Sequence, residues 1–223
     1  MKNRFIFSLP AVILMAGIFI LTGCKKDKED PKTVTDIDGN VYNTVLIGTQ
    51  TWITENLKTT HLNDGTAIPN VTDETAWNLL STPGYAWYGN DNANYADYGI
   101  LYNWSSVNTG TLCPAGWHVP SETEWSALST FLGGTLVAGG TLKEVGTTHW
   151  TSPNTGATDE VGFTALPGGF RSYMGPFMDV TMTGNWWTST MISVDPANVI
   201  INYGTGEMMI SQGISGMGHS VRC

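Results

Sequence analysis

The sequence predicts an α+β domain, with a few short helices beside strand-rich segments joined by long, glycine-broken connections. Three observations predict it. Charged residues are 13% of the chain, well below the roughly 25% usual for soluble domains. Glycine fills 26 of 223 positions, and there are nine tryptophans and eight tyrosines, a mixture that suits loop-rich β structure outside the cytoplasm better than a helical cytosolic enzyme. One helix start is spelled out in full at Ser121-Glu122-Thr123-Glu124, whereas the sequence after it falls into short apolar pieces.

Residues 1–23 read as a signal peptide. Lys2 and Arg4 charge its start, a mostly apolar run follows from Phe5 to Leu21, and it closes on Leu21-Thr22-Gly23-Cys24. The run is at the short limit of about 17 residues for spanning a bilayer, and Ser8 and Pro10 interrupt it, which argues against a transmembrane helix. Its ending resembles the lipobox of bacterial lipoproteins, which implies that Cys24 is lipidated and that the protein meets the membrane through this N-terminal anchor. Residues 24–32 form a charged tether, KKDKEDPK from Lys25 to Lys32, with no apolar side chain to add to a core. The tether resembles the charged stretch of surface-exposed Bacteroidetes lipoproteins, so the expected location is the cell envelope, at the outer membrane and facing the surface.

The domain proper spans 33–223, enough for one sizeable core. Val34 to Ile53 reads as strands around tight turns, Asp38-Gly39 being a favoured hairpin pair. A short helix is expected after Thr72, with Asp73 and Glu74 in its first turn, Trp77 and Leu80 as apolar positions, and a stop near Pro83-Gly84. Ser121 and Glu124 make a capping box; Trp125, Leu128, Phe131 and Leu132 then recur as one apolar face, and Gly133-Gly134 ends the helix. Strand-like pieces follow: VGFTALPGGF, GNWWTSTMIS, ANVIINYGTGEMMIS and GHSVRC.

The stretch TLCPAGWHVPSETEW, 111–125, places Cys113, His118 and two glutamates close together. A catalytic Cys-His pair is one reading, since such partners need not be sequence neighbours. With Cys24 lipidated, however, Cys113 and Cys223 remain as an even number in an oxidising compartment, and a disulfide is the better reading. The histidines (His61, His118, His149, His219) show no HxH or HExxH spacing, so no metal site is expected. Lys58, Lys143, Arg171 and Arg222 are the domain's cations, against all but three (Asp27, Glu29, Asp30) of the chain's 19 acidic residues. That balance repels phosphate backbones and excludes nucleic-acid binding.

The segments DIDGNVYNTVLIGTQTWITENLK, YGILYNWSSVNTGTLCPAGWHVPSETEWSALSTFLGG, GFTALPGGFR, WWTST and GHSVRC closely resemble the Fibrobacter succinogenes major paralogous domain family, in the family's order, across about 35–223. The resemblance implies a C-type-lectin-like fold, related to the formylglycine-generating enzymes: two short helices beside a small twisted antiparallel sheet with long loops. Cys113 and Cys223 correspond to the family's structural cysteines, so the redox pair that formylglycine-generating chemistry needs is missing. No Gly-x-Ser-x-Gly elbow, P-loop or dinucleotide fingerprint occurs, and GISGMG at 213–218 fails the spacing. No enzyme is expected. A non-catalytic recognition domain for glycan or protein is the leading function, and a structural envelope scaffold without a discrete ligand is the alternative.

Two stretches are the expected binding loops. WYGNDNANYADYG, 87–99, offers Tyr88, Tyr95 and Tyr98, with Asp91, Asn92, Asn94 and Asp97 as oxygen donors. These donors suit a hard cation but miss the EF-hand spacing, so Asp91 and Asp97 are weak calcium candidates and no cofactor is expected. The calcium-lectin signatures Glu-Pro-Asn and Gln-Pro-Asp are also absent, TSPN at 151–154 being a partial echo. RSYMGPFMDVTMTG, 171–184, offers Tyr173 and Phe177 beside Met174 and Met178. Trp186 and Trp187 are adjacent, so in a strand they face opposite ways, and one is expected in the core with the other free as an aromatic platform.

Overall fold

In a computed structural model the described residues are 1 and 32–223; Cys24, the rest of the leader and nearly all of the tether lie outside them. Strands β1 (Thr33–Thr35), β2 (Val41–Ile47) and β3 (Gln50–Ile53) make an antiparallel meander. The Asp36 carboxylate closes the first turn by accepting from the Asp38 and Asn40 amides, and Gly39 takes the left-handed φ of +85° that glycine adopts without a Cβ penalty. Helix α1 (Glu74–Asn78) is capped by the Asp73 side chain and buries Trp77, as its sequence foretells.

Next come β4 (Tyr85–Trp87), a 3₁₀ turn at 88–90, α2 (Asn92–Tyr95), a second 3₁₀ turn at 96–98, β5 (Ile100–Asn103) and α3 (Trp104–Val107). The expected loop at 87–99 is thus a strand end and a chain of helical turns. Helix α4 (Glu122–Phe131) carries the capping box and buries Trp125 and Leu128. Phe131, expected on that face, is 62% exposed. Six residues after Trp125, it points about 120° away from it at roughly 100° per residue.

Helix α5 (Thr135–Leu142) follows the Gly133-Gly134 stop and was not foreseen, because TLVAGGTL holds two glycines that weaken a helix. They are needed for contact: a Cβ on Gly139 would run into the Glu207 backbone and one on Gly140 into that of Gly156. Short β6 (Phe170–Arg171) and β7 (Phe177–Met178) precede the long β8 (Thr183–Ile192), β9 (Asp195–Asn202), β10 (Met208–Gln212) and β11 (Gly218–His219). One sheet runs β10-β9-β8, another β4-β5-β11-β6-β7, with every named pair antiparallel. The molecule is mixed helix and antiparallel sheet, as the sequence predicts.

Strand β8 lies between two cores, and its two tryptophans show it. Trp187 packs with Tyr102, Trp104, Cys113 and Cys223 in one cluster. Trp186 packs with Trp52, Trp125, Phe163 and Val199 in the other. Both are fully buried, and their indole N–H groups donate to Asn56 Oδ1 (Trp186, 2.8 Å) and the Tyr102 carbonyl (Trp187, 2.7 Å). The expectation that one of them is an open platform is therefore overturned. The alternation is as predicted, but both faces of this strand are covered.

Candidate functional site

The two predicted binding stretches are brought together. Arg171 lies under the second of them, its guanidinium between the Trp77 ring (4.4 Å) and the Phe177 ring (4.6 Å). It donates to the carbonyls of Gly175, Val71, Thr72 and Asp73, which ties the β6–β7 hairpin to the N-terminus of α1. Phe177 meets Tyr88 at 5.3 Å between ring centroids, Tyr88 meets Tyr95 at 5.0 Å, and Tyr95 meets Tyr98 at 6.1 Å. The result is a ridge of half-buried rings, and the 171–184 stretch that supplies Phe177 also exposes Tyr173 (41%), Met174 (62%), Met178 (45%) and Met182 (39%).

Not every expected residue belongs to it. Tyr98 is 8% exposed, its ring set edge-on to His149 and its carbonyl accepting from Asn56 Nδ2, so it is a support beneath the ridge. Trp186 and Trp187 are on β8, inside the protein. Asp91 spends its carboxylate on the N-terminus of α2, accepting from the Ala93 and Asn94 amides and from Asn94 Nδ2 (2.6 Å). Those hydrogen bonds, the Asn94 side chain first, hold its carboxyl below the usual carboxylate value. Asn92, Asn94 and Asp97 are exposed at the margin. Among the described residues no group of three or more His, Cys, Asp or Glu is placed to hold a metal.

A cavity of about 320 Å³ opens elsewhere. One wall is the tip of the β2–β3 hairpin (Thr49, Gln50, Thr51, Trp52), another is the lead-in to α4 (Gly116, Trp117, His118, Pro120), and Glu124 and Cys223 complete it. Cys113 and Cys223 are joined in a disulfide, with Cα atoms 6.0 Å apart, and the Cys223 carbonyl accepts from the Ile53 amide (3.0 Å). With Cys113 oxidised, the nucleophile reading of Cys113 and His118 has no thiol to act with. His118 Nε2 instead bonds Glu124 Oε1 at 2.8 Å, while Glu124 Oε2 accepts from the Ser121 amide and hydroxyl. Burial pushes the Glu124 carboxyl up, but the Ser121 amide, His118 and the Ser121 hydroxyl outweigh it and hold the carboxyl below its ordinary value.

The motif around Cys113 thus brings a histidine and a glutamate into contact, as their closeness suggests. The hairpin tip that faces them, some seventy positions upstream, carries no residue type that singles it out. Its partnership with Trp117 is a tertiary fact.

The profile of the Fibrobacter succinogenes major domain matches residues 45–223. The chain belongs to that family. The matched span holds both cysteines of the disulfide, the capping box, the GGFR segment and all of the ridge. No curated protein and no solved structure gives a significant match.

Proposed function

We propose that this Fibrobacter succinogenes major domain chain is a lipid-anchored cell-envelope protein, held at the outer membrane through Cys24, with a non-catalytic, C-type-lectin-like domain that recognises a partner protein at the surface. One observation carries the recognition reading: stretches 87–98 and 171–184, each suspected on its own composition, meet as a single aromatic ridge bordered by exposed methionines. Met and aromatic side chains are enriched where proteins meet, and a contiguous apolar surface of this kind marks an interaction site. Phe177 stands on buried Arg171, and Tyr88 and Tyr95 pack ring to ring from it, so the rings are held in place before any partner arrives, which lowers the ordering cost of binding.

The anchor is tested by Cys24→Ser, which releases the protein from membranes or leaves its leader uncleaved; unchanged fractionation and mass would refute it. Recognition is tested with the triple variant Tyr95→Ser, Phe177→Ser, Met178→Ser. It loses the envelope components that the wild-type protein retains, while circular dichroism and the melting curve stay as they were. Equal retention by the two proteins removes the ridge as the binding face.

A further inference from the structure

The cavity beside the disulfide has a chemistry distinct from that of the ridge. Its size, about 320 Å³, is at the small end of the roughly 300–1,000 Å³ typical of small-molecule sites, enough for a ring-sized ligand. Its carboxylate already has protein partners, Glu124 Oε1 meeting His118 and Oε2 accepting from Ser121, which weakens its pull on a cation. An anion finds no lysine or arginine in the lining and meets a chain of net charge −9. What the walls do offer is an aromatic face with hydrogen-bonding groups around it: the half-buried Trp117 indole, the Gln50 amide, the Thr49 hydroxyl, and His118, whose Nε2 contact with Glu124 leaves Nδ1 for a ligand hydroxyl.

We propose that this cavity binds a single neutral hexopyranose, free or as the terminal unit of a glycan. A pyranose has a C–H face that packs on an indole and a rim of hydroxyls that both donate and accept, which is the combination on these walls. The walls are also fixed in advance. The disulfide ties the segment before Trp117 to Cys223, Cys223 is hydrogen-bonded to β3, and Gln50 Nε2 donates to the Glu124 carbonyl (3.1 Å). A ligand therefore has little loop ordering to offset.

Saturation-transfer NMR on the full chain in a non-glycosidic detergent, with neutral methyl gluco-, galacto- and mannopyranosides as probes, tests the site. At least one of them makes contact, and its aminohexoside and hexuronate counterparts bind several-fold more weakly or not at all. Trp117→Ala weakens the contact at least about tenfold, as loss of a central aromatic anchor does. Trp117 also packs against a core cluster, so Gln50→Ala, which removes one part-buried hydrogen bond and no core packing, serves as the second variant: binding weakens several-fold while the protein stays folded by circular dichroism. Tyr95→Ala, on the ridge, changes nothing. The proposal is overturned if no neutral hexoside contacts the protein, if a charged counterpart binds as well or better, or if Trp117→Ala and Gln50→Ala both bind like the wild type.

Discussion

On the Trp187 side of β8 the long connections are joined by the covalent bond between Cys113 and Cys223. On the Trp186 side they are joined by cations inside the protein. Lys143 Nζ donates to the carbonyls of Thr155 (2.8 Å), Asn202 (3.0 Å) and Thr205 (2.8 Å), above the Trp150 ring. Arg222 donates to the carbonyls of Ile53, Phe163 and Thr164 and to Asn56 Oδ1, above the Phe163 ring. Neither cation is bonded to a carboxylate. Irregular backbone buried without ladder partners leaves carbonyls that need donors, and a multi-donor side chain satisfies several at once. The disulfide limits how far the chain can open and leaves its carbonyls to find donors elsewhere. The buried cations supply those donors, and they must be desolvated to do so.

Breaking the two sides separates these roles. Arg222→Ala orphans three backbone carbonyls at ~1–3 kcal/mol each, so its loss in denaturant unfolding, about 3–9 kcal/mol, is the largest expected. Trp125→Ala, on the same side and fully buried, costs about 3–5 kcal/mol by the same measurement. Replacing Cys113 and Cys223 together by serine removes a cross-link spanning 110 residues and costs about 2–5 kcal/mol. The decisive comparison is reductant, which lowers stability of the wild type and Arg222→Ala alike but leaves the double-serine protein unmoved.

A pH experiment reaches the disulfide side by another route. His219 packs against Trp187 (4.3 Å) and Phe170, with neither ring nitrogen bonded, and burial pushes it down to about 3. Its folded value lies below its unfolded one, so its stabilising contribution is complete above pH 6.5 and is lost as pH falls from 6.5 toward 3. At pH 5 the loss is about 2 kcal/mol, at ~1.36 kcal/mol per unit. His219→Leu flattens this slope in unfolding curves taken across the window. The smallest effect belongs to exposed Phe131, where Phe131→Ser changes stability by less than about 0.5 kcal/mol.

Local rules were the ones that could be read in advance. The capping box at Ser121, the Asp38-Gly39 turn and the cysteine pairing each depend on a few neighbouring residues or on simple counting, and each is present; Asp73, expected in the first turn of α1, is its cap. What failed depends on what lies opposite. Trp187 is buried because a second core covers its face of β8. Helix α5 tolerates Gly139 and Gly140 because Glu207 and Gly156 press against them. The two stretches read as separate loops, and the contact of Phe177 with Tyr88 that joins them has no local signature. The cavity was half visible, in the nearness of His118 to Glu124, while its hairpin wall was not.

Burying the cations has a consequence for digestion. Trypsin cuts after lysine and arginine, and among the described residues these are Lys32, Lys58, Lys143, Arg171 and Arg222. The last three are buried, each hydrogen-bonded to several carbonyls, so a protease reaches them only after the surrounding structure opens. Lys32 is exposed at the start of β1, which leaves Lys58 as the one target within the folded body that is not buried. Treated with trypsin, the folded protein is cut first at Lys32 and Lys58, and Lys58→Gln leaves residues 33–223 with no accessible cut.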